Sequence, residues 1–285
     1  MVEFASVGIV GSGIMGAGIA ETAITSGYRI VLLSRTADSA RAMAEAVQNS
    51  LNRNMERGKA TPALVEEQIE RLTATSEISD LAGCDMVVET VIEDFSIKSR
   101  IISDLDNVCK PSAIIASNTS TLPITELAAA TNRPDKICGI HFFNPAPLMK
   151  LVEIVRTLLT SDDTILKATR FAISCGKEPV EVQDRAGFIV NALLFPYLNN
   201  AVKMLEQHVG TKEGIDNAMK GACGFPMGPF ALLDMVGLDT ALSILNSLHG
   251  EFGDPSFSPA PLLKRMVAAR KLGRKSGSGF YSYGA

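Results

Sequence analysis

Cysteine and histidine are scarce in this chain, and long apolar runs are missing; each scarcity removes a class of function. The five cysteines, Cys84, Cys109, Cys138, Cys175 and Cys223, are odd in number, widely scattered and without a CxxC pair. That distribution suits neither a disulfide framework nor a zinc site, and no metal is expected; buried, reduced thiols in a cytoplasmic protein are. No apolar segment approaches the roughly 18 residues that a membrane span needs. The N-terminus carries Glu3 with no basic stretch ahead of its first apolar run, so a soluble, unprocessed chain is expected. Lysine and arginine number 27 against 31 acids, a net charge of -4, and no basic run offers a phosphate-neutralising stripe. Nucleic acid and membrane are therefore not expected partners.

What is present builds a core. Of 285 residues 46% are hydrophobic and 20% charged, which excludes a disordered chain, and the length suggests about two domains. The first half alternates β-rich runs (4–10, 30–33, 86–89, 114–116, 137–141, 151–155) with helical stretches. This is the pattern of βαβ units and a mostly parallel, doubly wound sheet, an α/β fold of Rossmann type. After residues 180–182 only helical patterns follow, at 188–207, 212–220, 229–248 and 261–272. The expected division is an α/β dinucleotide-type domain over 1–185 and an all-helical domain over 186–285. Residues 39–72 read as a projecting helical hairpin, broken at Gly58 and restarted at Thr61-Pro62, an N-cap with proline at the first helical position. Ala40, Met43, Ala44, Val47, Leu51 and Met55 share one face of it. Ser50, Arg53 and Arg57 cluster on another, which periodicity alone reads as a solvated face.

The first β-run leads into Gly11-Ser12-Gly13-Ile14-Met15-Gly16, a G-x-G-x-x-G between strand and helix. The first glycine permits the tight turn, the second lets the backbone approach a pyrophosphate, and the third allows close helix packing. The helix N-terminus supplies free N–H groups for the anion. A dinucleotide is the expected ligand. Roughly 20 residues on, where an NAD site usually carries an acid, stand Ser34 and Arg35. Ser34 removes the carboxylate that would repel a 2'-phosphate, and Arg35 offers a cation suited to one. NADP is therefore the expected cofactor, with NAD as the alternative.

Three histidines are available for proton transfer. His208 and His249 lie near Gly210 and Gly250 at helix ends, where histidine is a favourable dipole partner. His141 instead closes a β-run and opens His141-Phe-Phe-Asn144-Pro, at the strand edge where open α/β sheets bind ligands. Glu153, twelve residues on, is flanked by apolar β-formers and so is expected to be buried and in need of a partner. A His141–Glu153 pair would fix the imidazole tautomer and stabilise its protonated form. Ser117-Asn118-Thr119-Ser120 reaches the same edge; by itself it reads first as a helix cap, and as hydroxyl donors second.

Taken together, Gly11 to Ala20, Ser117-Asn-Thr-Ser120, His141-Phe-Phe-Asn-Pro145, Gly187-Phe-Ile-Val-Asn191, Pro226-Met-Gly-Pro229, Asp234-Met-Val-Gly-Leu-Asp239 and Gly273-Arg-Lys-Ser-Gly-Ser-Gly-Phe-Tyr281 resemble the 3-hydroxyacyl-CoA dehydrogenase family, especially its short bacterial members. The resemblance implies that His141 is the acid/base and Glu153 its orienting partner. It implies that Ser120 and Asn191 contact the thioester-bound acyl group. Glu93, Lys98, Asn118, Ser120, Asn144 and Lys275 match positions that line the dinucleotide. Ser50 and Arg57, with Arg53 beside them, match the hairpin positions that hold coenzyme A, which reverses the solvated reading of that face. The departure is Ser34, where the family usually carries Asp. The implied reaction is reversible NAD(P)-dependent reduction of a 3-oxoacyl-CoA, acetoacetyl-CoA in particular, to the (3S)-3-hydroxyacyl-CoA, by a homodimer whose helical domain closes over the acyl end. Related chains act on hydroxyacyl groups carried by acyl carrier protein or on free hydroxy acids such as gulonate. A non-catalytic crystallin-like relative is the alternative from another class.

Overall fold

The computed structural model describes residues 4–284. Its contacts divide the chain into two units, Met1–Asp184 and Arg185–Ala285. The first unit carries eight strands: β1 Ser6–Val10, β2 Arg29–Leu33, β3 Leu72–Thr75, β4 Met86–Glu89, β5 Ile114–Ser117, β6 Ile137–Phe142, β7 Leu151–Arg156 and β8 Glu178–Gln183. Its helices are α1 Ile14–Thr25, α2 Ala37–Glu56, α3 Pro62–Glu70, α4 Phe95–Val108, α5 Ile124–Ala129 and α6 Asp162–Ser174. The strands form one sheet in the order β3-β2-β1-β4-β5-β6-β7-β8. Every pairing is parallel except β6 with β7.

Burial explains the continuous apolar runs. All four residues of β4, all four of β5 and all six of β6 are buried, because crossover helices cover both faces of a parallel sheet. Each fully buried Ile, Val or Leu contributes about 1.5–3 kcal/mol, and Ile9, Val88, Ile114 and Ile140 belong to one core with Ile19 of α1 and Phe171 of α6. Strand order reverses between β1 and β4, so the crevice at their carboxyl ends is the place where an open sheet takes a ligand.

The hairpin expected over 39–72 takes a different form. Helix α2 starts at Ala37, where Thr36 and Ser39 form a reciprocal capping box. Gly58 ends the turn at φ 69, and Thr61 caps α3 with Pro62 in its first turn. The helix stops at Glu70, and Leu72–Thr75 forms an edge strand, pairing Ile30 to Leu72. Four residues are too few for periodicity to separate a strand from a helix end. Met43, Val47 and Leu51, on the apolar face of α2, are buried in the sheet's own core.

The second unit contains α7 Val190–Glu206, α8 Lys212–Cys223, α9 Pro229–Val236, α10 Leu238–Phe252 and α11 Pro261–Ala268. The single helix expected over 229–248 is two. Gly237 at φ 102 breaks it, and α9 and α10 diverge by 96°. Among the described residues no single helix is long and apolar enough to cross a membrane, and the apolar residues of α9 and α10 form this unit's core, with Phe230, Leu233, Leu245 and Leu248 buried. Four cysteines are buried as expected, but Cys223, the last residue of α8, is exposed. Burial pushes the Cys138 thiol up to about 12.

Candidate functional site

The glycine loop is shaped as its spacing requires. Gly11 has φ 117, and a Cβ there would stand 2.9 Å from the Thr90 backbone. Gly13 differs: nothing lies within 4 Å of where its Cβ would be, so the missing side chain opens space above the loop rather than avoiding a clash. Gly13 is also the N-cap of α1, with no side-chain cap and no acid in the first turn. The N–H groups of that turn therefore face open space with the positive end of the helix dipole, a cradle that fits a pyrophosphate.

Beside it runs a cleft of about 810 Å³. It brings together Ser12 and Gly13 from the loop, Ile14 at the start of α1, Ser50 and Arg53 from α2, Arg57 at its C-cap, and Asn144 from the segment after β6. Arg53 and Arg57 are exposed, so the cations of the hairpin line one wall. Gly11, Met15, Gly16, Ser34 and Arg35 lie outside this lining. Ser34, at the end of β2, is buried, and its hydroxyl lies 2.6 Å from that of Ser39 in the capping box of α2. Arg35 is exposed and forms no ion pair with the described residues.

The proton-transfer pair is made by strand register. Because β7 runs antiparallel to β6, His141 and Glu153 stand directly opposite each other. The imidazole Nδ1 lies 2.7 Å from Glu153 Oε2, with the histidine 5% and the glutamate 1% exposed. A carboxylate in that position accepts a hydrogen bond from Nδ1–H, which directs Nε2 to any reacting oxygen, and stabilises the imidazolium. Phe143 packs on the imidazole at 4.5 Å between ring centroids.

The segment after β5 is held from below. Glu93 Oε1 accepts hydrogen bonds from Thr119 Oγ1 (2.6 Å), the Ser120 amide (2.9 Å), Ser120 Oγ (3.3 Å), and the amide and hydroxyl of Thr121 (3.2 Å each). Burial opposes ionisation of this carboxyl, but the Lys98 ammonium and these donors outweigh it and hold it below the usual carboxylate range. Asn118 accepts from the Phe142 amide at 2.9 Å, tying the segment to β6. Lys98 is only 1% exposed, and its ammonium donates to Glu89 and to the Val91 carbonyl. In the helical unit, Asn191 is buried in the first turn of α7, and Lys275 is exposed and paired with Asp239 at 2.6 Å. His208 follows α7 at φ 57, and His249 occupies the last turn of α10.

Two groups escaped the sequence reading. Glu89 ends β4 with 0% exposure, and the argument that singled out Glu153, an acid beside apolar β-formers, applies to it equally. Lys177 carried no signal: it lies between α6 and β8 like any solvated lysine. Yet it is buried in the cleft wall and donates to the carbonyls of Ala146 (2.6 Å) and Met149 (2.9 Å), bracing the segment that carries Asn144. Desolvation lowers its pKa from the ordinary lysine value.

A glycine cradle at the switch point of a doubly wound sheet defines the first unit as a dinucleotide-binding domain. Comparison with known proteins agrees. The family described as "3-hydroxyacyl-CoA dehydrogenase, NAD binding domain" matches residues 6–185, and its "C-terminal domain" matches residues 187–283. The chain belongs to the 3-hydroxyacyl-CoA dehydrogenase family, and its N-terminal unit is the NAD-binding one. It is 42% identical over 281 residues to a probable 3-hydroxybutyryl-CoA dehydrogenase of Bacillus subtilis, covering 99% of this chain and 98% of that one. It is 43% identical to 3-hydroxybutyryl-CoA dehydrogenase of Mycobacterium tuberculosis, over 97% of this chain and 98% of the other. Among solved structures, (S)-3-hydroxybutyryl-CoA dehydrogenase from Ralstonia eutropha superposes with a TM-score of 0.96 at 40% identity, covering 99% and 100% of the two chains.

Proposed function

We propose that this protein is a 3-hydroxybutyryl-CoA dehydrogenase: 3-oxoacyl-CoA + NAD(P)H + H+ gives (3S)-3-hydroxyacyl-CoA + NAD(P)+, reversibly, with acetoacetyl-CoA as the oxidised substrate. The observation that carries this reading is the buried His141–Glu153 pair at the ligand-binding edge of a sheet that also presents the Gly13 cradle. The dinucleotide supplies the hydride for C3. Protonated His141 donates its proton to the carbonyl oxygen, and Glu153 stabilises the imidazolium beforehand and orients the ring. Ser120 polarises and positions the acyl group. Asn191, assigned by its motif, does the same from the helical unit. Ser50, Arg53 and Arg57 grip the phosphates of the carrier, which suits the position of these cations along the cleft wall. For the dinucleotide itself, Gly11 to Gly16, Glu93, Asn118, Asn144 and Lys275 are the proposed lining, with Lys98 behind Glu93.

Within the nicotinamide dinucleotides the proposal is NADP. A neutral Ser34 repels no 2'-phosphate, and Arg35 is exposed without an ion pair among the described residues. The proposed assembly is a homodimer, a use for the exposed Leu193, Val209 and Met235 of the helical unit, and the proposed setting is the cytoplasm, where five free cysteines stay reduced.

The test is kcat/KM with NADH and with NADPH on acetoacetyl-CoA, side by side. Turnover with a preference for NADPH is the expected result. A large preference for NADH overturns the reading of Ser34 and Arg35, and no oxidation of either cofactor overturns the reaction.

A further inference from the structure

Glu89 is a wholly buried carboxylate to which the proposed reaction gives no role, and its contacts with Lys98 and Ser117 lead toward the reacting group. Its Oε1 accepts from the Val91 amide at 2.6 Å and from Lys98 Nζ at 2.8 Å. Its Oε2 accepts from Lys98 Nζ at 3.1 Å and from Ser117 Oγ at 2.7 Å. Two routes then run to one segment. Ser117 Oγ in turn accepts from the Thr119 amide at 3.2 Å. Lys98 Nζ lies 3.4 Å from Glu93 Oε2, and the other oxygen of Glu93 gathers Thr119, Ser120 and Thr121.

We propose that Glu89 is a positioning residue for the reduction, acting through Lys98 and Ser117 to hold residues 117–121 so that Ser120 stays in register with the acyl group. The proposal rests on the reading of the reaction given above. The physics is that of a buried ion pair with one member removed. An ammonium only 1% exposed cannot be left without a counter-charge at small cost. With Glu89 neutral, the nearest remaining carboxylate is Glu93, already within 3.4 Å. Lys98 moves toward it, Glu93 is drawn from its five donors, and Ser120 loses both the bond to its amide and the bond to its hydroxyl. The same geometry limits Lys98 to an indirect role: its hydrogen bonds go to Glu89 and to the Val91 carbonyl and it pairs with Glu93 at 3.4 Å, so it serves a dinucleotide by fixing Glu93.

A double-mutant cycle between Glu89→Gln and Ser120→Ala tests this, with kcat and KM for acetoacetyl-CoA reduction measured for all four proteins and melting temperatures recorded alongside. A merely structural role lowers activity by the same factor in either background. The positioning role predicts coupling, with Glu89→Gln lowering kcat about tenfold or more when Ser120 is present and less than about threefold when it is Ala. Equal factors in the two backgrounds overturn the proposal. If Glu89→Gln does not fold, Ser117→Ala, which withdraws a single hydroxyl from Glu89 Oε2, enters the same cycle; coupling of the same sign is expected, and additivity overturns the proposal. A wild-type protein inactive on acetoacetyl-CoA overturns the reading of the reaction and this inference with it.

Discussion

Replacing Glu153 by Gln removes a charge and almost no volume from a side chain 1% exposed, whose Oε2 sits 2.7 Å from His141 Nδ1. The amide oxygen of glutamine still accepts from Nδ1, so the tautomer and ring orientation persist and the loss isolates the charge. A hydrogen bond to a charged group contributes about 1.5–3 kcal/mol. The imidazolium must form for His141 to act as the acid, and neither side chain is exposed enough for water to replace the carboxylate. The neutral hydrogen bond that glutamine keeps contributes about 0.5–1.5 kcal/mol, so the charge accounts for the remaining ~1–1.5 kcal/mol, a fall in kcat of about 5- to 12-fold. The assay is steady-state reduction of acetoacetyl-CoA followed by nicotinamide absorbance, with dinucleotide affinity measured separately by fluorescence titration. Affinity should stay within about twofold of wild type, because the bond that Glu153 makes to His141 Nδ1 serves proton transfer and not dinucleotide binding. A Glu153→Gln enzyme with wild-type kcat refutes the pairing as a functional device, and a change confined to KM refutes it as a transition-state one.

Gly13→Ala separates ligand from fold. At φ -79 and ψ 175, with open space at the Cβ position, alanine leaves the melting temperature unchanged, while the KM for dinucleotide rises at least about tenfold, equivalent to ~1.4 kcal/mol; equal KM values sink the cradle assignment. Arg57→Glu should raise the KM for acetoacetyl-CoA at least about fivefold at low salt, less at high salt, and leave dinucleotide binding alone; a salt-independent effect speaks against phosphate contact. Asp85 carries a pH prediction. Burial opposes its charge, but Lys110 and the amides of Ser6 and Ala5, at 3.0 and 2.8 Å, hold its pKa below the ordinary value. A depressed carboxylate stabilises the fold above the unfolded-state pKa of about 4 and loses that contribution as pH falls through the folded value. Asp85→Asn should therefore cost about 1–3 kcal/mol at neutral pH and progressively less below pH ~4. Denaturant melts across that range check it, and a gap that does not narrow in acid refutes the assignment.

Much of this was legible in the chain because it depends on local chemistry. The glycine pattern between a β-run and a helix is a statement about backbone space within a few residues, and Gly11 and Gly13 behave as it requires. The cap at Thr61, the apolar face of α2 and the helical character of the second half are likewise short-range. So was the likelihood that an acid set among apolar β-formers needs a partner, which singled out Glu153.

What the chain could not specify by itself was which distant groups meet. A sequence carries no register, and only the antiparallel turn of β7 against β6, in a sheet otherwise parallel, sets Glu153 opposite His141 rather than one residue aside on the other face. Neither does it show that the ammonium of Lys98, on a helix that reads as amphipathic, lies fully buried between Glu89 and Glu93, or that Lys177 turns inward to the carbonyls of Ala146 and Met149. Burying a charge is costly unless partners are supplied from elsewhere in the fold. Those partners stand 9 and 5 residues from Lys98 and 31 and 28 residues from Lys177, and the folded sheet brings them within reach.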